Sequence, residues 1–206
     1  MSHKEHWNKA YADKSTDQLG WFQQNPEPSM GLIRSLNLSR YAEILDVGAG
    51  ASSLIEHLLE DGFQNINVND ISPVALDKLR EALGKEECNV EWLVDDIVSP
   101  TVLKELPLLD LWHDRAVLHF FIEDRDQLAY FNLLKQKVKS KGYVIIAAFA
   151  VGGAEKCSGL PILQYNQEML SQRLGFDFEL KEVIDFTFVN PHGDERPYIY
   201  TLYQRK

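Results

Sequence analysis

The stretch Glu43–Ser53, EILDVGAGASS, most constrains what this chain can fold into. Its apolar residues between Ile44 and Val47 predict a buried strand, and Gly48 and Gly50 predict a tight turn after it. The residues that follow, Ala51–Leu59, predict a helix. A strand, a glycine turn and a helix N-terminus in this order bring free backbone N–H groups and the positive end of the helix dipole close to a ligand. The stretch therefore predicts an α/β unit with a binding site at the turn.

Two carboxylates near this turn indicate the class of ligand. Asp46 lies two residues before Gly48, from where a carboxylate can reach a ligand ammonium, directly or through water. Asp70 follows a second strand-like run, Ile66–Asn69, and lies 20 residues past Gly50, where it can accept hydrogen bonds from two ribose hydroxyls. Because an acid at this place also occurs in NAD sites, the pair predicts a nucleoside cofactor without naming it.

Both dinucleotides and S-adenosylmethionine (SAM) can bind at such a turn, and two features favour SAM. The dinucleotide fingerprint requires a third glycine at position 53, where this chain has Ser53. The end of the chain predicts two strands, Phe178–Val189 and Tyr198–Gln204, joined by the turn-rich Asn190–Asp194. A sheet that ends in an antiparallel hairpin departs from a double mononucleotide-binding fold.

Strands and helices are expected to alternate between these two ends, which predicts a parallel sheet with right-handed crossovers. The other strands are predicted at Val90–Val94, Leu108–Trp112 and Tyr143–Phe149, and the helices at Ser52–Asp61, Pro73–Leu83, Glu123–Lys139 and Asn166–Leu174. Residues 1–206 then form one α/β domain with a mostly parallel seven-stranded sheet. At its carboxyl edge we expect Asp46, Asp70, Asp96 and Asp114 to converge.

The first 40 residues are predicted to form a helical arm before a cofactor-binding core at 41–150 and a segment at 151–206 with a substrate loop, a helix and the hairpin. The arm is polar but contains Trp7, Tyr11, Trp21 and Phe22. These aromatic side chains either anchor the arm on the domain or form a lid that excludes water from a ligand pocket. Both interpretations stay open at this point.

Composition and residue spacing argue against several functions and kinds of site. A net charge of −10 argues against nonspecific binding to nucleic acid, and no apolar run approaches the length of a membrane span. The chain has two cysteines, Cys88 and Cys157, which are far apart and favour a reducing cytoplasm. No carboxylate–histidine cluster has ligand spacing, so we expect no metal. The sequence does not indicate the oligomeric state.

The segment Glu43–Gly50 resembles the first motif of the class I SAM-dependent methyltransferases, and the resemblance extends over nearly the whole chain, from Trp7 to Tyr203. It implies a Rossmann-like fold, SAM as cofactor and S-adenosylhomocysteine (SAH) as product. A departure is Ser52, where many members have a third glycine. The cofactor-binding residues that the resemblance and the arm imply are Trp7, Tyr11, Asp46, Gly48, Ala49, Gly50, Asp70, Ile71, Asp96 and Ile97. Of these, the glycines approach the methionine part, Asp70 holds the ribose, Asp96 accepts from the adenine amino group and Ile97 packs on the ring.

A more local resemblance is to a bacterial subgroup that carries Asp110–Phe121, DLWHDRAVLHFF, and Cys157–Pro161, CSGLP. The pattern of Trp7, Tyr11 and Trp21–Gln23 is similar to lysine methyltransferases that act on citrate synthase and elongation factor. Neither likeness determines a substrate, because the segments that would recognise it vary among such enzymes.

The resulting prediction is an enzyme that transfers a methyl group to a small molecule or a protein side chain by in-line displacement. A base is needed only if the acceptor arrives protonated, and the candidates are His113, Asp114 and His119. Each also has a structural interpretation, such as an Asp114–Arg115 ion pair. The candidates for substrate binding are Trp21, Phe22, Arg115, Cys157, Leu160 and Tyr165. The alternatives are an NAD(P)-dependent reductase and a catalytically silent SAM-binding module.

Overall fold

The structure, a computed structural model, describes residues 2–206 and has one large sheet with helices on both faces. The helices are α1 His3–Asp13, α2 Ser29–Ser35, α3 Leu54–Glu60, α4 Pro73–Leu83, α5 Asp124–Lys137 and α6 Gln167–Leu174. The strands are β1 Glu43–Val47, β2 Asn65–Asp70, β3 Val90–Val94, β4 Leu109–Arg115, β5 Val138–Phe149, β6 Lys156–Cys157, β7 Leu160–Pro161, β8 Phe178–Val189 and β9 Glu195–Arg205.

The large sheet has seven strands in the order β3-β2-β1-β4-β5-β9-β8. The pairs among its first five strands are parallel, and β9 runs antiparallel to both β5 and β8. The predicted seven-stranded, mostly parallel sheet with a C-terminal antiparallel hairpin is thereby confirmed. Strands β6 and β7 form a separate small hairpin. None of the helices in residues 2–206 is long and apolar enough to cross a membrane.

Apolar side chains cover both faces of the sheet, and each face has its own core. One core joins α2 and α3 to the sheet through residues such as Ile33 and Leu58. The other joins α5 and α6 to the opposite face through residues such as Leu134 and Leu170. Successive side chains of a strand point to opposite faces, so consecutive residues of β4 contact different cores.

Two predicted strand boundaries are wrong. Strand β4 continues to Arg115 and β5 begins at Val138, because backbone pairing extends both strands beyond their apolar runs. Ser29 lies in the first turn of α2, and its Oγ contacts His113 Nε2 at 2.8 Å.

A buried carboxylate, Asp114, ties the end of β4 to α5. It accepts hydrogen bonds from the Tyr130 hydroxyl at 2.6 Å and from the backbone N–H groups of Val117 and Leu118 at 3.0 and 3.1 Å. Tyr130 in turn accepts a hydrogen bond from Trp112 Nε1 at 3.1 Å. Burial raises the pKa of Asp114 to about 6, and these hydrogen bonds oppose the rise. The carboxylate therefore fixes the turn that follows β4.

Tyr130→Phe tests this network. The Tyr130 hydroxyl accepts a hydrogen bond from the Trp112 N–H and donates one to Asp114 Oδ2. The substitution removes both hydrogen bonds inside the core. We expect the free energy of unfolding, measured by urea denaturation, to fall by about 1.5–3 kcal/mol. Tyr41→Phe is the matched control because Tyr41 is 67% exposed. Equal small losses in both variants would contradict a role for the network in stability.

Candidate active site

A cavity lies over the carboxyl edge of the parallel strands. The structure brings ten of the residues predicted to bind cofactor or substrate to its wall: Trp7, Tyr11, Trp21, Gly48, Asp70, Ile71, Asp96, Ile97, Arg115 and Cys157. We call it the first cavity.

The glycine turn after β1 is shaped by two close contacts. Gly48 has φ +57°, and a Cβ at this position would lie 2.1 Å from Val117 Cγ2. Gly50 has φ +59°, and a Cβ there would lie 2.1 Å from the Tyr11 hydroxyl oxygen. Both positions thus combine left-handed backbone with a neighbour that leaves no room for a side chain. The turn permits the end of β4 and the N-terminal arm to approach the same loop.

Asp70 joins this turn to the start of α4. Its two carboxylate oxygens accept hydrogen bonds from the N–H of Gly50 at 2.9 Å and from the N–H of Ser72 at 2.8 Å. Burial raises the pKa of Asp70 to about 6, although the amides of Ser72 and Gly50 favour the charged form. Each oxygen keeps a further lone pair for a donor in the first cavity. This geometry suits a pair of ligand hydroxyls.

The N-terminal arm covers the first cavity with aromatic rings. Trp7 packs edge-on against Trp21 and Phe120, with ring centroids 5.4 and 5.0 Å apart. The Tyr11 hydroxyl accepts a hydrogen bond from Trp21 Nε1 at 3.0 Å. The Ser72 hydroxyl donates to Asn8 Oδ1 at 2.7 Å and holds α1 against the start of α4. The arm is thus both anchored on the domain and part of the cavity wall.

A second, adjoining cavity is lined by an incompletely paired carboxylate. His113 Nδ1 donates to Asp46 Oδ1 at 2.6 Å, and His113 Nε2 contacts the Ser29 hydroxyl at 2.8 Å. Asp46 Oδ2 is buried and has no hydrogen-bond partner among residues 2–206. Ala49 and Phe22 also line this second cavity. An unpaired carboxylate oxygen in a residue that lines a cavity matches a cationic ligand group.

Arg115 lies between the two cavities and carries the opposite charge. Its Nε donates to the Tyr200 hydroxyl at 3.1 Å and its Nη1 to the Trp21 carbonyl at 3.0 Å. The guanidinium carbon lies 5.2 Å from the ring centroid of Phe188 and 5.3 Å from that of Tyr198. Nη2 is buried without a partner. The hypothesis of an Asp114–Arg115 ion pair is wrong, because the two side chains have different partners on opposite faces of the sheet.

Several candidate residues lie outside the walls of both cavities. These are Gly50, Asp114, His119, Leu160 and Tyr165. Gly50 is covered by Tyr11, and Leu160 lies on the small hairpin. Asp114 and Tyr165 belong to the core on the α5 side, so the expected convergence of four aspartates is wrong for Asp114.

His119 is buried and both its ring nitrogens lack partners among the described residues. Its ring packs against Phe120 and Phe149, with centroids 4.4 and 4.8 Å away. Burial lowers the pKa of His119 to about 3, and the nearby Arg115 lowers it further. The imidazole is therefore neutral at physiological pH and serves packing.

Cys157, a predicted substrate-binding residue, lines the first cavity. Burial raises the pKa of its thiol to about 11, and Arg196 and Arg115 only partly oppose this. Since the thiolate is the nucleophilic form, this cysteine remains a neutral wall residue at physiological pH.

The sequence interpretation missed the contribution of the short apolar turn after β4. Val117, Phe120 and Phe121 line the first cavity, and Gln23, Ser29 and Ser52 line the second. The turn lies between β4 and α5. The sequence feature that could have indicated it is an apolar run directly after the carboxyl end of a parallel strand. That position is where ligands of such sheets bind.

Comparisons with known proteins indicate a methyltransferase. Residues 44–142, which carry the glycine turn, Asp70, Asp96 and Arg115, match a family described as a methyltransferase domain. EEF1A lysine methyltransferase 2 of Danio rerio is 27% identical over 159 residues, which cover 70% of this chain and 67% of that protein.

Solved structures show the same fold. A SAM-dependent methyltransferase from Anabaena variabilis superposes with a TM-score of 0.79 at 14% identity, over 100% of this chain and 96% of the other. The N-methyltransferase NodS from Bradyrhizobium japonicum, solved with SAH, superposes with a TM-score of 0.69 at 16% identity, over 97% and 98% of the two chains.

Gly48→Ala tests how tightly the glycine turn is packed. The new methyl group would collide with Val117 in addition to forcing an L side chain into left-handed backbone. We expect a loss of about 2–4 kcal/mol in the free energy of unfolding by urea denaturation.

Gly62→Ala is the matched control, since Gly62 has φ +83° but its Cβ would meet only Arg40 Cδ, at 3.9 Å. It should cost about 1 kcal/mol. Adding Val117→Ala to Gly48→Ala should restore part of the loss. Equal costs at the two glycines would show that Val117 does not restrict the turn.

Proposed function

We propose that this SAM-dependent methyltransferase holds the adenosine of SAM in the first cavity and the amino-acid end of its methionine part in the second. The observation that carries the proposal is that two residues lining the second cavity have buried, unpaired polar atoms of opposite charge, Asp46 Oδ2 and Arg115 Nη2. An α-amino acid carries an ammonium and a carboxylate a few ångströms apart. A buried anion and a buried cation beside the glycine turn match these two groups.

The spacing along the sheet supports this assignment. Asp46 is paired in register with His113, and Arg115 lies two residues further along the same strand. Since residues two apart in a strand point to the same face, His113 and Arg115 both face the side of the second cavity. His113 occupies one Asp46 oxygen and leaves the other for the ammonium.

The first cavity supplies partners for the rest of the cofactor. Asp70 would accept hydrogen bonds from the ribose hydroxyls, and Ile71 and Ile97 would pack against the adenine. Asp96 Oδ1 accepts from the Val98 N–H at 3.1 Å, so its other oxygen remains for the adenine amino group. Phe120 adds an aromatic wall that the sequence interpretation did not include.

The role of the protein in the reaction is alignment and exclusion of water. When bound, SAM supplies a methyl group that an acceptor lone pair takes in line, while the electrons of the breaking carbon–sulfur bond stay on sulfur and leave neutral SAH. Trp7 and Trp21 exclude water from the reacting end of the first cavity. No general acid is required, because the leaving group is neutral.

We propose that none of the three candidate bases takes the acceptor proton. Asp114 is committed to Tyr130 and the following turn, and it faces the core. His119 lies outside both cavities, and its lowered pKa makes it a weak base. His113 lines the second cavity but both its ring nitrogens already have partners. The acceptor therefore reacts in a form that is already unprotonated, or loses its proton to solvent.

The substrate is a small molecule or a protein side chain, and one relative, EEF1A lysine methyltransferase 2, is named for a protein lysine. We further propose that the chain is one domain of the bacterial subgroup with the DRAVLHF and CSGLP segments. We also propose that it acts in the cytoplasm, since both cysteines are free.

The binding of two ligands can distinguish the proposed roles of the two cavities. SAH has the amino-acid end, whereas 5′-methylthioadenosine lacks it. We expect Asp46→Asn and Arg115→Met each to weaken SAH binding, measured by calorimetry, by about 10- to 100-fold, since each loses a charge-assisted hydrogen bond. The same variants should bind 5′-methylthioadenosine about as well as the wild type does.

Asp70→Ala is the control variant for this experiment, because it should weaken the binding of both ligands. Circular dichroism should show that all three variants remain folded. If Asp46→Asn and Arg115→Met weakened both ligands equally, the second cavity would not hold the amino-acid end. Tighter binding of NADH than of SAH by the wild type would contradict the cofactor.

The raised pKa of Asp70 predicts a pH dependence of SAH binding. Only the carboxylate can accept both ribose hydroxyls, and protonation at low pH removes this form. With a pKa of about 6, the charged fraction at pH 5 is roughly a tenth, so the dissociation constant should rise about tenfold between pH 7.5 and pH 5. Asp70→Asn should bind weakly with little change over this range. An equal pH dependence in both proteins would assign the titration to another group.

A further inference from the structure

A surface groove adjoins the first cavity. Trp21 and Cys157 line both the groove and the cavity, so the two spaces adjoin at these side chains. The groove runs between α1, the β6–β7 hairpin and the turn between β8 and β9. His6 Nε2 contacts the Ser158 hydroxyl at 3.3 Å and connects the first two of these elements.

The charge of this groove is opposite to that of the whole chain. The chain has a net charge of −10, with 31 acidic and 21 basic residues. The charged side chains that line the groove are Lys9, Asp13, Lys14, Lys156, Asp194 and Arg196. Four of these six are cationic, so the local field favours a negatively charged ligand.

The pairing of these charges leaves two of the cations free. Lys9 forms an ion pair with Asp13 at 2.6 Å, and Arg196 forms one with Asp194 at 3.0 Å. Both carboxylates of the groove are thereby neutralised. Lys14 and Lys156 are exposed and neither belongs to an ion pair among residues 2–206.

The floor of the groove is aromatic. Trp21, Phe149 and Tyr198 line it, and the rings of Phe149 and Tyr198 lie with their centroids 4.7 Å apart. Burial raises the pKa of the Tyr198 phenol, so this floor carries no negative charge at physiological pH. Aromatic faces with cations at the rim complement a planar or apolar body that bears an anionic group.

We propose that the methyl acceptor is a small acid, with an apolar or aromatic body on this floor and an anionic group on the unpaired cations of the rim, Lys14 and Lys156. The inference rests on the proposed function, and it names the acceptor class of the same site. The anion anchors the acceptor while a different atom faces the methyl group. A cationic lysine side chain would meet repulsion in this groove, so the preference separates this enzyme from one that methylates protein lysines.

The test uses SAH-loaded protein and four matched probes: 3-phenylpropionate, 2-phenylethyl phosphate, 3-phenylpropanamide and 3-phenylpropylamine. Calorimetric titration at low ionic strength should show at least about fivefold tighter binding of one or both anions than of the amide, and the weakest binding for the amine. Comparison of the carboxylate with the phosphate identifies the anion that the groove prefers.

Charge reversal supplies the decisive comparison. The double variant Lys14→Glu/Lys156→Glu should lose the preference for the anions, and Lys104→Glu, which changes an exposed lysine that does not line the groove, should retain it. The proposal is overturned if neither anion binds the wild type, if anion and amide bind equally, or if the double variant keeps the preference. Failure of the wild type to bind SAH in the loading step would instead overturn the proposed function.

Discussion

The hydrogen bond from His113 to Asp46 is the interaction on which the site depends. It joins two neighbouring strands inside the sheet, and Ser29 holds the other side of the imidazole. A buried carboxylate is costly unless it is paired, and this pairing satisfies one of its oxygens only. The free oxygen then gives the second cavity a fixed negative charge that needs a cationic ligand group. Asp46 thus contributes to the stability of the fold through one carboxylate oxygen and to ligand recognition through the other.

Successive side chains of β4 point to opposite faces of the sheet, so three adjacent polar residues have different roles. His113 supports Asp46, Asp114 fixes the following turn through Tyr130, and Arg115 reaches the cavities. The fold can place such residues side by side because each points away from its neighbour. The turn that Asp114 holds then presents Val117 against Gly48 and completes the wall.

The sequence predicted the fold well because strand and helix periodicity is local. The boundaries of β3, α4 and β8 agree with the prediction, and so does the order of elements that leads to the hairpin. The site was harder, since neither the partner of Asp114 nor the free atoms of Asp46 and Arg115 can be inferred from neighbours in the chain. The hydrogen bonds of these side chains involve residues 16 to 94 positions away along the chain, which only the folded structure brings together.

A crystal structure of the SAH complex tests the central claim most directly. The account predicts the ligand ammonium about 3 Å from Asp46 Oδ2 and the ligand carboxylate on Arg115 Nη2. The ribose hydroxyls should lie on Asp70, and the adenine between Ile71 and Ile97. A complex in which the amino-acid end lies outside the second cavity, with Asp46 Oδ2 and Arg115 Nη2 still unpaired, would contradict it.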